Sequence, residues 1–264
     1  MSIKNVVLFG ETGAGKSSVV NLMAGEEMAI TSPDMQLCTM TWKEYPMAFD
    51  GYKYSVFDTI GLQGPHLEVD DYLDAIVNAR NLIMKLVNEG GIDLLLFCVR
   101  AGRKVPTTVQ NNYRLFHEWL CEKKVPIILV LTGLEAEQNM EDWWTGHKDA
   151  FDKYEISIDG HVCITAANKL NGSHQHLYEE SRHLIRKLVR EHTHNRPEGP
   201  WKGGEGWFRR FTRKLRELHT GNFTLKKKDI ETVLTERCGM PREAAVKLAR
   251  QVREESHPKS NSST

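Results

Sequence analysis

Residues 9–20 read FGETGAGKSSVV: three glycines, a lysine and two serines stand between an apolar run and the start of a helical pattern. The stretch fits G-x-x-x-x-G-K-[S/T] as Gly10, Gly15, Lys16 and Ser17, in the strand-to-helix context that the motif requires. Glycines let successive backbone N–H groups, from Glu11, Thr12, Gly13 and Ala14 through Ser18, converge on anionic oxygens. The first turn of the helix adds its positive dipole end. Lys16 supplies a point charge for the β- and γ-phosphates of a nucleotide, and the Ser17 hydroxyl is placed for Mg²⁺. The reading is therefore a triphosphate seat, with Lys16 also acting in catalysis.

Around this motif, short apolar runs alternate with longer amphipathic stretches, the pattern of a mostly parallel sheet covered by helices on both faces. Strands are expected at 3–9, 41–49, 52–57, 92–99, 125–131 and 161–165, and helices at about 15–24, 69–89, 106–122, 140–154 and 173–192. Asp50-Gly51 is a hairpin signal, so the second and third strands should be antiparallel. Periodicity stops in THNRPEGPWKGGEG, 193–206. The division expected is a nucleotide-binding domain over 1–193, a linker over 194–206, a helical region over 207–255 and a disordered tail over 256–264.

A second motif narrows the nucleotide chemistry. YSVFDTIGL ends a strand at Asp58 and places Gly61 three residues on, the D-x-x-G arrangement in which a carboxylate manages Mg²⁺ and a glycine N–H faces the γ-phosphate. It follows a hairpin, which is the strand order of switch GTPases. Between the two motifs, 29–40 lacks periodicity and carries threonines. Thr39, with Thr41 as the alternative, is the candidate to close on the metal and the γ-phosphate.

Base choice is expected after the fifth and sixth strands. After VPIILVL comes TGLE, Thr132 to Glu135, which puts a carboxylate where N-K-x-D has its aspartate. Charge-assisted hydrogen bonds from guanine N1 and N2 to such a group contribute about 1.5–3 kcal/mol each. After the sixth strand, Ala166, Ala167 and Asn168 offer a turn for guanine O6.

On GETGAGKSS (10–18), DTIGL (58–62), the T-x-x-acid in place of N-K-x-D, and VRAGRKVPTTVQNN (99–112), the chain resembles the immunity-associated, avirulence-induced type of GTPase. That group is related to septins and to the GTPase receptors of the chloroplast outer envelope. The resemblance covers about residues 3–192. It implies an α/β fold: a three-layer G domain of the P-loop NTPase class, with a mostly parallel six-stranded sheet and one antiparallel edge strand, plus a small helical appendage. It implies GTP hydrolysis with Mg²⁺, with GTP or GDP bound and pairing of G domains in the loaded state. Leu62 stands where Ras-type switches carry a water-orienting glutamine, so intrinsic hydrolysis should be slow. The family's arginine that crosses the dimer to the partner's phosphates corresponds to Arg103, and such a residue is worth ~10³ to 10⁵ in rate. The rival reading is a nucleotide-gated assembly module with negligible hydrolysis.

Composition limits the partners. Lys plus Arg equals Asp plus Glu, 35 of each in 264 residues, so no global field points to nucleic acid, which is not expected as a partner. The five scattered cysteines read as reduced, buried thiols of a cytosolic protein rather than a disulfide framework or zinc site. No run reaches the about 18 apolar residues of a membrane span. In WFRRFTRKLREL, Trp207, Phe208, Phe211, Leu215 and Leu218 share one helical face among arginines. Such a helix packs on its own domain, docks a protein partner or lies on an anionic membrane, which makes the expected location cytoplasmic or peripheral to a membrane. His174 and His176 read as surface. Trp143 and Trp144 read as packing of the helix after TGLE, or alternatively as a shield for the base.

Overall fold

The computed structural model describes residues 2–29, 42–59, 69–167, 174–195 and 197–203, together with 235, 242, 243, 245 and 246; for 69–77, 80, 107, 111 and 119 only the backbone is described. Six strands, β1 (Lys4–Gly10), β2 (Lys43–Phe49), β3 (Tyr52–Asp58), β4 (Leu94–Arg100), β5 (Ile127–Thr132) and β6 (Gly160–Cys163), form one sheet in the order β2-β3-β1-β4-β5-β6. All pairings are parallel except β2 with β3. The hairpin closes with Phe49 opposite Tyr52, and Asp50 and Gly51 adopt φ of 51° and 82°. Both central residues thus take the positive φ that suits the twist of paired strands.

Strand periodicity splits the interior in two. Val7, Phe9, Leu95, Phe97, Ile127 and Leu129 point to one core, and Val6, Leu8, Leu94, Leu96, Ile128 and Val130 to the other. The helices α2 (Val69–Asn88), α3 (Thr107–Tyr113) and α4 (Met140–Lys153) cover the first. The helices α1 (Lys16–Ala24) and α5 (Gln175–His194) cover the second. Burial on both faces explains why β1, β4 and β5 read as nearly unbroken apolar runs. Phe9 stacks on Phe97 and on Phe116 with ring centroids 4.7 Å and 4.6 Å apart, tying β1 to β4 and to the segment after α3.

Three features depart from the sequence reading. The single helix expected over 106–122 is α3 continued by a π-helical run, Arg114–Leu120. Its wider turn lets the Cys121 N–H reach the Phe116 carbonyl and brings His117 Nε2 to 3.1 Å from the Val125 carbonyl. The stretch read as a linker is attached in part to the domain: Trp201 is buried, and its N–H and C=O pair with those of Ile92 at 2.9 Å and 2.8 Å. Ala245, in the region expected to be a helical appendage, is fully buried in the first core. The basic segment 207–218 and the tail lie outside the described residues.

Candidate functional site

In a parallel sheet every strand presents its C-terminal end at the same edge, so β1, β3, β4 and β5 deliver Gly10, Asp58, Arg100 and Thr132 to one rim. Gly10 leaves β1 with φ of 144°, and a Cβ built there would lie 2.1 Å from the Cys98 carbonyl oxygen. Only glycine lets the loop start so close to β4. Gly13 and Gly15 follow in left-handed conformations, φ 81° and 84°, and α1 begins at Lys16.

Lys16 arches back over its own loop. Its Nζ donates to the carbonyls of Gly10 at 3.1 Å and Glu11 at 2.8 Å. Burial lowers its pKa, and the carboxylates of Asp58 and Glu11 oppose that shift. A buried cation that is satisfied only by carbonyls is primed for a stronger anionic partner. Glu11, whose pKa burial raises, accepts from the Thr108 hydroxyl of α3. Ser18 is half-buried on α1 and Thr12 is exposed at the loop.

Ser17 Oγ donates to Asp58 Oδ2 at 2.7 Å, across 41 residues of sequence. Burial raises the Asp58 pKa, while Lys16, the Ser17 hydroxyl and Lys43 hold it down. A hydroxyl and a carboxylate in contact beside a phosphate-type loop are hard oxygen donors that suit Mg²⁺. These two residues fit that ion. Thr39, Gly61 and Leu62 lie outside the described residues.

The Thr132 hydroxyl donates to the Ala14 carbonyl at 2.9 Å, and its side chain lies where a Cβ on Gly15 would meet it at 3.2 Å. Thr132 therefore braces the phosphate loop with its side chain. Gly133 turns the chain with φ of 78°, Leu134 is buried in the first core, and half-buried Glu135 follows three residues after the end of β5. Glu135 Oε2 is enclosed and has no hydrogen-bond partner. A buried carboxylate oxygen without a donor costs stability unless something supplies one. On the neighbouring loop, the Thr165 N–H donates to Ser181 Oγ of α5 at 2.9 Å, which fixes buried Ala166 and half-buried Ala167. Asn168 lies outside the described residues.

Arg103 is exposed on the loop between β4 and α3. Three hydrogen bonds hold this loop: the Ala101 N–H to the Thr132 carbonyl (2.8 Å), Trp143 Nε1 to the Gly102 carbonyl (3.0 Å) and the Tyr154 hydroxyl to the Val105 carbonyl (3.1 Å). Trp143 is buried and stacked on His147. Its packing was legible in the sequence, but its grip on the Arg103 loop, and that of Tyr154, had no sequence signal. His176 is exposed at the start of α5.

The phosphate loop, the Ser17–Asp58 contact and the sheet order together decide the architecture. The fold is that of a P-loop GTPase domain. Residues 5–133 match the sequence model of the family described as 50S ribosome-binding GTPase. The tRNA modification GTPase MnmE of Treponema denticola is 32% identical over 127 residues, 48% of this chain and 25% of that protein. Immune-associated nucleotide-binding protein 7 of Arabidopsis thaliana is 26% identical over 172 residues, 63% of this chain and 54% of that protein. The chain thus spans between a quarter and about half the length of these relatives. Among solved structures, one of the chloroplast translocon components Toc33 and Toc159, for whose GTPase activity dimerisation is important, aligns with TM-score 0.54 and 19% identity over 75% of this chain and 86% of that one. Era, solved with MgGDPNP and a segment of 16S ribosomal RNA, aligns with TM-score 0.54 and 18% identity over 75% of this chain and 59% of that one. At such identities the likeness is one of fold. No helix among the described residues is long and apolar enough to cross a membrane.

Proposed function

We propose that the chain is a Mg²⁺-dependent enzyme that binds GTP and hydrolyses it to GDP and phosphate, and that pairing of two G domains raises the rate. The observation that carries this reading is the joint placement at one rim of a buried Lys16, the Ser17–Asp58 pair and the unpartnered Glu135 oxygen. Gly10 to Ser18 hold the phosphates, with Lys16 neutralising charge as the terminal P–O bond breaks. Ser17 and Asp58, joined by Thr39, hold the metal, which offsets the negative charge of the phosphate oxygens when bound. Gly61 senses the γ-phosphate, and Glu135 with the turn at Ala166, Ala167 and Asn168 receives guanine. Arg103 is directed at the phosphates of the paired copy.

The narrower assignment, to the immunity-associated type, is supported by the Arabidopsis relative, by the translocon-like fold and by the box around Arg103. Era is an RNA-bound neighbour in fold, so the balanced charge of this chain does not remove nucleic acid from the partners to be tested. The basic segment 207–218, expected from its sequence pattern to be helical, is proposed as the contact to a membrane surface or protein partner. A second reading, an assembly module that binds GTP and scarcely hydrolyses it, is favoured by Leu62 at the glutamine position.

Single-turnover hydrolysis measured across protein concentration separates the two. A rate that climbs as dimer forms supports the enzyme. A rate flat and near zero over the whole range leaves only the assembly module.

A further inference from the structure

Behind the guanine-facing loops, three different metal-ligating side chains converge. His161 and Cys163 stand two apart on β6, so they share the sheet face that α4 covers, and Glu141 comes from the first turn of α4. His161 Nε2, Cys163 Sγ and a Glu141 oxygen all lie within 4.8 Å of one another, the one such group of three among the described residues. We propose that Glu141, His161 and Cys163 form a binding site for a thiophilic divalent cation of the zinc class.

The donor set is mixed in the way such ions favour: one thiolate, one imidazole and one carboxylate, with a fourth position open to water. With metal–ligand distances of about 2.0–2.3 Å, tetrahedral donors stand roughly 3.5 Å apart. The three donors lie within 4.8 Å of one another, with Glu141 in contact with His161, so the half-exposed Glu141 side chain has to swing out of that contact to make room for the ion. The site is also supported from behind. Trp144 stacks on His161 with ring centroids 4.5 Å apart and fixes the imidazole plane, and Cys163 is buried while its partners reach solvent, so an ion has an entry path.

In the ion-free form, His161 Nε2 is hydrogen-bonded to Glu141. On binding, that hydrogen bond gives way, the neutral imidazole and the carboxylate each donate a lone pair, and the Cys163 thiol releases its proton to solvent as the metal–sulfur bond forms. Burial, aided by Glu141, pushes the Cys163 thiol pKa up to about 12, so without a cation it stays protonated. Position gives the site a consequence. Glu141 lies six residues after Glu135, and Cys163 three before Ala166, so the ion would clamp the two loops assigned to guanine.

The test is a titration of the reduced full-length chain with Co²⁺. We expect saturation at one ion per chain, a near-ultraviolet sulfur-to-cobalt charge-transfer band with visible bands of four-coordinate cobalt, displacement by Zn²⁺, and a raised Tm with Zn²⁺. Cys163→Ser should abolish the charge-transfer band. His161→Ala and Glu141→Gln, at more exposed positions, should each weaken binding about tenfold or more. Absence of the band in the unaltered chain, its survival in Cys163→Ser, or unchanged affinity in both other variants would overturn the proposal.

Discussion

Trp143 Nε1 donates to the carbonyl of Gly102 at 3.0 Å, so a side chain of α4 holds the residue immediately before Arg103. An exposed arginine on a free loop samples many positions, whereas one on a pinned loop is presented in few, which lowers the ordering cost of reaching a partner. Trp143→Phe keeps the ring stacked on His147 and deletes one hydrogen bond, a loss of about 1 kcal/mol. We expect unchanged nucleotide affinity and a dimer-stimulated rate lower by about fivefold, read from hydrolysis at low and high protein concentration.

Lys16→Ala removes a buried ammonium whose present partners are two loop carbonyls. Charge-assisted bonds of the kind proposed between it and phosphate are worth about 1.5–3 kcal/mol each, so GDP affinity should fall by roughly tenfold to a hundredfold in calorimetry. The nucleotide-free variant should be no less stable to urea than the parent, because desolvation of the lysine is lost with it. A parallel fall in unliganded stability would mean that the ammonium serves the fold instead.

The centre of the sheet was legible because β1, β4 and β5 are buried on both faces: an unbroken run such as Leu94 to Val99 has few other placements. The turn between β1 and α1 was legible because the glycines carry a backbone requirement, which Gly10 shows against the Cys98 carbonyl. What escaped were contacts set by three-dimensional packing between distant segments. Thr132 opens the TGLE stretch assigned to the base, and the engagement of its hydroxyl by Ala14, 118 residues away, has no trace in the local pattern. Trp201 looked like linker because proline and glycine surround it, but an isolated two-residue bridge to Ile92 leaves no periodic trace. The meeting of Glu141 with His161 and Cys163 likewise depends on α4 crossing an edge strand.

Two glycine replacements in one loop should separate steric from conformational cost. Gly10→Ala sets a Cβ against backbone that cannot move aside. It should largely prevent folding, read as loss of the cooperative thermal transition. At Gly13 the added methyl meets nothing within 4 Å, so only the left-handed φ opposes it, at about 1–2 kcal/mol. Gly13→Ala should fold with a modestly lowered Tm and bind GDP less tightly.

His117 is buried with Nε2 against the Val125 carbonyl and Nδ1 lacking a partner. Burial lowers its pKa below the ordinary 6.5, against the pull of Val125, Asp159 and Glu118 and with a small push from Lys123. Between the folded pKa and 6.5 the unfolded chain binds more protons, so stability must fall as pH drops through that window. Urea unfolding at several pH values from 7.5 downward should show this loss, and His117→Gln should flatten the part of the slope that begins near 6.5.

Glu135 Oε2 is an acceptor enclosed without a donor, and two N–H groups of guanine would supply what it lacks. Adenine presents no such pair, so its binding leaves the carboxylate as it is in the free protein. Glu135→Gln keeps the volume but replaces one acceptor with an N–H₂ group that opposes the base donors. Loss of even one charge-assisted bond of about 1.5 kcal/mol corresponds to roughly tenfold. The ratio of ADP to GDP dissociation constants should therefore shrink by at least about tenfold, with ADP binding little changed. Equal weakening of both nucleotides would show that the side chain supports the loop and does not read the base.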